Sequence, residues 1–251
     1  MVLPGPARLS VRALTWLLDV ERIGAPHVVL APAAVWHPPS ELDELHVQAR
    51  AEIDALGWYD RRPRLEVEVA VALELLCRAE SECFGWITHD ETTRGVLAAA
   101  TGRHGLLAVR DGESVRLNHI NPGRLAETLA AQTADVPAGK GKPVTVSRAE
   151  VTGTVRGQRI TEAAVRVGPA GVEVRRVRRL AALAVLGTGE LYAAVRDGVG
   201  RYRVSEPLRY ADSPEGRYLN LALGADQVLV APAGRADLAG RLRELGRALS
   251  R

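Results

Sequence analysis

Apolar residues recur at steps of three and four through Leu42, Leu45, Ala49, Ile53 and Leu56, and the series stops before Gly57. That spacing describes one helical face. Ser40-Glu41-Leu42-Asp43 stands at its head like a helix cap, and Ser147-Arg148-Ala149-Glu150 repeats the signature in the second half, where Gly153 and Gly157 weaken the helix that should follow. Two further segments, LEVEVAVALELLC (Leu65 to Cys77) and VEVRRVRRLAALAVL (Val172 to Leu186), open with strand-like alternation. Both then place apolar residues at helical intervals, at Leu65, Val69, Leu73 and Leu76 and at Val174, Val177, Leu180 and Leu183, so both are predicted as helices. Ahead of them, Ser10 to Ile23 reads as a helix stopped at Gly24-Ala25-Pro26 and followed by an apolar stretch, His27 to Ala31.

Short β-rich stretches come next in each half. They run from Glu82 to His89, Arg94 to Ala100, Gly105 to Arg110 and Ser114 to Ile120, and again from Glu190 to Arg196, Arg201 to Leu208, Arg217 to Ala222 and Gln227 to Val230. Their short connections predict antiparallel meanders. Each meander gives way to a helix, PGRLAETLAAQ from Pro122 and GRADLAGRLRELGRAL from Gly234. The order helix, helix, four strands, helix therefore occurs twice at a spacing of about 105 residues. The expected fold class is α+β, with two quasi-symmetric halves, residues 1–134 and 146–251, around a central antiparallel sheet. Residues 135–145, rich in proline and glycine, form a linker by composition. The pentapeptide AVRDG at Ala108 and again at Ala194 lies outside this register.

Within the second meander, YADSPEGRYLNL (Tyr210 to Leu221) reads as a hairpin, because Pro214 presets φ and Gly216 tolerates the left-handed closing position. A loop of Pro214-Glu215-Gly216 sets Asp212 opposite Tyr218 and Tyr210 opposite Asn220. Leu208, Tyr210, Tyr218 and Asn220 then share one face, and the functional question is whether that face is buried or presented.

Composition narrows the function classes. At 251 residues and 47% apolar the chain can bury a substantial core, no run of eighteen apolar residues occurs, and MVLPGPARLS lacks a basic-to-apolar leader. Membrane insertion and secretion are disfavoured, and a cytoplasmic location is expected. Cys77 and Cys83 match no zinc spacing and read as reduced thiols. Of 33 basic residues only Lys140 and Lys142 are lysine. The densest run, Arg175-Arg176-Val177-Arg178-Arg179, reads as a solvated helix face, with an arginine-rich module gripping nucleic acid as the alternative.

Candidate chemistry is sparse. GKGKPVT places Pro143 where a phosphate loop needs a hydroxyl, and Gly187-Thr188-Gly189 lacks the third glycine and the helix of a dinucleotide site. Neither a Gly-x-Ser-x-Gly elbow nor a His-Glu-x-x-His pair occurs. His89-Asp90-Glu91 falls at a strand-to-strand turn whose alternating side chains cannot converge, and the histidines at 27, 37, 46, 89, 104 and 119 show no ligand spacing. No catalytic residue, metal, cofactor or small-molecule substrate is expected. The aromatic residues say more: Trp16, Trp36, Trp58 and Trp86 lie in the first half, and Tyr192, Tyr202, Tyr210 and Tyr218 on predicted strands of the second. They read either as core or as a face for a partner.

Several of these features together resemble the EspG family of ESX (type VII) secretion-associated proteins. They are the first helix followed by Gly24-Ala25-Pro26 and an apolar strand, the Ser-capped helix near residue 40, the hairpin YADSPEGRYL, and the ending VLVAPAGRADLAGRLREL. Tyr210, Asp212, Ser213, Gly216 and Arg217 match the family's aromatic-Asp-Thr/Ser-x-x-Gly-Arg stretch. Val230-Ala231-Pro232 matches its strand ending, and Leu238 to Leu249 its Leu-rich last helix. The resemblance implies a cytosolic, non-enzymatic chaperone or adaptor that caps an apolar helical tip of PE–PPE-like or other helical ESX substrates. It also implies two contact regions: the turn Thr101-Gly102-Arg103-His104, and the hairpin strands with Leu208, Tyr210, Arg217, Tyr218 and Asn220.

Overall fold

The computed structural model describes residues 3–250 apart from 4, 34–35, 37, 61–63, 153, 156–157 and 160–168. His37, Gly153 and Gly157 fall outside the described residues. Strand β1 (Ala7–Ser10) ends on Ser10, whose hydroxyl accepts from the Ala13 N–H at 3.0 Å and so caps helix α1 (Val11–Val20). The same hydroxyl donates to Glu52 at 2.7 Å, which ties α2 (Pro39–Leu56) to the start of the chain. The cap expected at Ser40 is displaced: α2 starts two residues earlier, with Pro38 as its N-cap and no side-chain cap. Proline suits that first turn because its missing N–H has no intrahelical partner there. Gly57 closes the helix in the left-handed region, at φ +66°. Helix α3 (Val67–Arg78) follows, burying Val69, Ala72, Leu73 and Leu76.

The first meander comprises β2 (Ser81–His89), β3 (Thr92–Thr101), β4 (His104–Asp111) and β5 (Ser114–His119), and leads through a 3-10 turn into α4 (Leu125–Ala131). The second half opens with β6 (Val144–Ser147), the short α5 (Arg148–Thr152), and a two-stranded ribbon of β7 (Thr154–Val155) and β8 (Gln158–Arg159). Helix α6 (Pro169–Ala181), β9 (Gly187–Arg196), β10 (Arg201–Arg203), β11 (Leu208–Ser213), β12 (Gly216–Leu223), β13 (Gln227–Pro232) and α7 (Arg235–Leu249) complete the chain. The strand expected over Arg201 to Leu208 is two pieces. Pro207 lacks an N–H for the ladder, so β10 folds back on β9 and a new strand begins at Leu208.

Strand order in the main sheet is β1-β5-β4-β3-β2-β9-β11-β12-β13-β6, with β10 attached to β9 and every pairing antiparallel. Read outward from the β2–β9 seam, the two sides match strand for strand. The sheet is therefore built from two quasi-symmetric halves, in an α+β arrangement. Topology also corrects the repeat register: the β6–α5 unit stands where β1–α1 stands in the first half, so Ser147 is the counterpart of Ser10 rather than of Ser40. At the seam, Gly85 lies so close to the Glu190 carbonyl that a Cβ would overlap it.

Side-chain alternation divides the sheet into two faces. The front carries Phe84, Leu97, Ala99, Leu106, Ala108, Leu117 and Tyr192 and packs over the first half against α1, α2 and α3. The stretch from His27 to Ala31 adds no strand. It turns across that face instead, with Val29 directly over Gly95 and the Ala31 carbonyl accepting from Arg110. The back carries Ile87, Val96, Ala98, Leu107, Leu191, Leu208, Tyr210 and Leu219 and is covered by α4 and α7, which pack against each other. A third, smaller cluster on the front joins Val144, Val146, Tyr218 and Val230 to Val174 and Val177 of α6.

Candidate functional site

The residues expected to meet a partner are not brought together. Thr101, Gly102, Arg103 and His104 form the tight β3–β4 turn, where Gly102 has φ +53° and donates its N–H to Glu80 at 3.2 Å. The β11–β12 turn lies at the opposite end of the sheet, about 30 Å away at ~3.3 Å per residue along β3. Within that hairpin the register differs by one from the expected one. Ser213 pairs with Gly216, Asp212 with Arg217 and Tyr210 with Leu219, so the loop is the two residues Pro214 and Glu215. Ser213 sets this turn by accepting from the Glu215 N–H and donating to the Gly216 carbonyl. A one-residue slip reverses every facing. Leu208, Tyr210 and Arg217 consequently lie on the back face, and Tyr218 and Asn220 on the front.

Four of those five are buried. Arg217 has no exposed surface and holds Asp212 through Nε at 2.6 Å and Nη2 at 2.9 Å. It also donates to the Thr133 hydroxyl and the Ala134 carbonyl, both at 2.8 Å, and lies over the Tyr210 ring at 4.5 Å. Burial raises the Tyr210 phenol well above its ordinary pKa. Arg217 is thus the bolt between hairpin, α4 terminus and linker. Tyr218 is closed over by the linker: Gly139 sits on its ring, and the Lys140 N–H donates to its hydroxyl at 3.0 Å. Asn220 remains half-exposed on the front.

Asn220 belongs to a wider open strip that the hydrophobic pattern did not reveal. Between α3 with Val29 on one side and α6 on the other, the front face of β2, β9, β11 and β12 carries no helix among the described residues. Its floor is Trp86, Thr88, Thr188, Glu190, Arg209, Ala211 and Asn220. The Arg209 Nε donates to Glu190 at 2.8 Å across the centre, both side chains being 45% exposed, and Thr88 shares a hydrogen bond with Thr93 at 2.8 Å. From β2 to β12 the strip spans three strand spacings, about 14 Å, enough for one helix of 10–12 Å diameter. Alternation of polar and small residues on otherwise buried strands was the available signal. It was masked because β9 and β11 present apolar side chains to the back.

A family model described as the EspG family matches residues 10–244. The chain belongs to the EspG family. Among solved structures, this EspG chain is similar to the Mycobacterium tuberculosis type VII secretion system chaperone EspG5, solved in complex with a PE25–PPE41 dimer. The TM-score is 0.68 at 15% identity, over 96% of this chain and 95% of that one. No curated protein matches this one.

Elsewhere in this EspG protein several charged residues are engaged locally. In the arginine run, Arg176 donates to the Lys140 carbonyl, Arg178 to the Glu150 carbonyl at 2.9 Å, and Arg179 pairs with Glu215 at 3.0 Å. A buried cluster joins Glu82 to Arg201 at 2.5 Å and to His27 at 3.5 Å. Burial alone would raise the Glu82 carboxyl, but hydrogen bonds from His27 and Arg201 outweigh it and hold the group below its usual range. Among the described residues no group of three or more His, Cys, Asp or Glu is placed to hold a metal ion. None of the described helices is long and apolar enough to cross a membrane.

Proposed function

We propose that this EspG-family protein is a cytosolic chaperone and adaptor that binds PE–PPE-like helical substrates of a type VII secretion system and keeps them soluble. The reading rests on one observation. A fold shared with a chaperone solved in complex with a PE25–PPE41 dimer leaves, among the described residues, a helix-wide strip of the sheet uncovered on the front. An exposed apolar helical tip is an aggregation liability, and covering it requires shape and desolvation rather than catalysis. The contact moves from the buried hairpin residues to the strip, with Asn220, Ala211, Arg209 and Trp86 at its floor. The β3–β4 turn with Arg103 lies outside it. In the same reading, residues 1–134 and 146–251 are the duplicated units, joined through 135–145.

Size-exclusion co-elution with purified PE–PPE-type heterodimers of the source organism tests the proposal. A complex with at least one dimer is expected, and Ala211→Trp, which fills the middle of the floor, should abolish it while leaving the melting temperature unchanged. Binding to no dimer, or binding indifferent to Ala211→Trp, refutes the reading.

A further inference from the structure

The two ends of the open strip are chemically unlike. At one end lies the connector from α6 into β9, Ala182-Leu183-Ala184-Val185-Leu186, five consecutive apolar residues of which all but Leu183 are exposed. Val185 is 63% and Leu186 46% exposed. The Leu186 N–H donates to the Asp212 carbonyl at 2.8 Å, which fixes the connector to the edge of β11 just before the strip begins at Thr188. A fixed, exposed apolar run of this length marks a contact surface rather than a solvated loop.

Arg203 marks the other end. Its guanidinium lies 4.8 Å from the centroid of the Tyr192 ring, which in turn meets Trp86 edge to face at 6.2 Å. Neighbouring arginines are neutralised, Arg201 by Glu82 and Arg209 by Glu190, whereas Arg203 has no carboxylate within 4.0 Å among the described residues. Stacking on an aromatic ring holds its fork in place, so little further entropy is lost when it meets a planar anion.

We propose that the strip reads its cargo directionally: apolar side chains at the tip of a helical hairpin rest on Val185 and Leu186, and a carboxylate farther along the same helix pairs with Arg203. This rests on the chaperone reading above and specifies the chemistry of its cargo. Leu186 directly precedes β9 and stands six residues from Tyr192, about 20 Å at the strand rise. A helix lying along the strip covers that distance in about 13 residues, which places the acidic group between three and four turns from the tip.

Calorimetric titration of a co-eluting PE–PPE-type heterodimer against four proteins tests this: wild type, Ala211→Trp, Arg203→Glu and Arg203→Gln. The expected pattern is loss of binding by Ala211→Trp and a weakening of about tenfold by Arg203→Gln, the worth of one charge-assisted hydrogen bond. Arg203→Glu should weaken it further, and both Arg203 variants should show a shallower salt dependence than wild type. Changing the matching cargo carboxylate to lysine should restore affinity for Arg203→Glu. If Ala211→Trp abolishes binding but both Arg203 variants stay within twofold of wild type, the directional inference falls and the chaperone reading stands. If Ala211→Trp has no effect, both fall.

Discussion

Replacing Arg217 by methionine removes the cation that pairs with Asp212, which is 1% exposed and receives two charge-assisted bonds from that one guanidinium. Leaving a buried charge without its partner costs about 3–5 kcal/mol. The Thr133 hydroxyl keeps its bond to the Ala130 carbonyl at 2.8 Å and Ala134 is only half-buried, so these two groups add less. For a chain of this size each kcal/mol lowers Tm by about 2–4 °C, so a fall of about 6–20 °C is expected. Differential scanning fluorimetry and urea titration both read it. The companion variant Arg217→Met/Asp212→Leu removes both charges at once, and the two substitutions should therefore be far from additive, the double being less damaged than Arg217→Met alone. A loss under about 2 °C for Arg217→Met, or additive effects of the two changes, would refute the assignment of Arg217 as the bolt between hairpin and linker.

Three further outcomes follow from the packing and the titrating groups. Gly139→Ala should cost more than the linker position suggests, because its Cβ would overlap the buried Tyr218 ring; Tyr218→Ala in the same background, read by Tm, should relieve part of that cost. The lowered Glu82 carboxyl stabilises the fold fully above the unfolded value of about 4.5 and loses that contribution as pH falls from there through the folded value. The Tm gap between wild type and Glu82→Gln should therefore be widest near neutrality and shrink below pH 4.5, and a gap that is flat with pH contradicts it. Burial pushes the Cys77 thiol up to about 11 and Cys83 up to about 12, so at pH 8 both should react with a disulfide reagent far more slowly in the folded protein than in denaturant. Rapid labelling of Cys83 in the native state would overturn its placement at the back of the sheet.

Much of the architecture is written in the hydrophobic pattern, and its failures have identifiable causes. Helices α1, α3, α4, α6 and α7 and the first meander follow from apolar spacing and turn chemistry, because each buries one coherent face. The hairpin at Tyr210 shows the limit. Pro214 and Gly216 fit two-residue and three-residue loops equally well, and the choice between them decides whether Tyr218 joins Tyr210 or opposes it. Ser213, bonding both Glu215 and Gly216, selects the shorter loop, a preference that depends on one hydroxyl. The repeat was legible as a count of elements but not in its helical register, since β1 and β6 are four residues each and carry little pattern of their own. The open strip was the least legible feature. It is defined by where none of the described helices lies, and no residue in it announces that; Arg209 and Glu190 look like any surface pair until the neighbouring helices are in place.

The asymmetry between the halves fixes a valence. Duplication by itself would give a platform with two equivalent seats, one over each set of strands. The first-half seat, above β3 and β4, is taken by Val29 and α3, elements of the chain itself. Under the proposed chaperone role, cargo and carrier should then meet one to one, however symmetric the sheet beneath them.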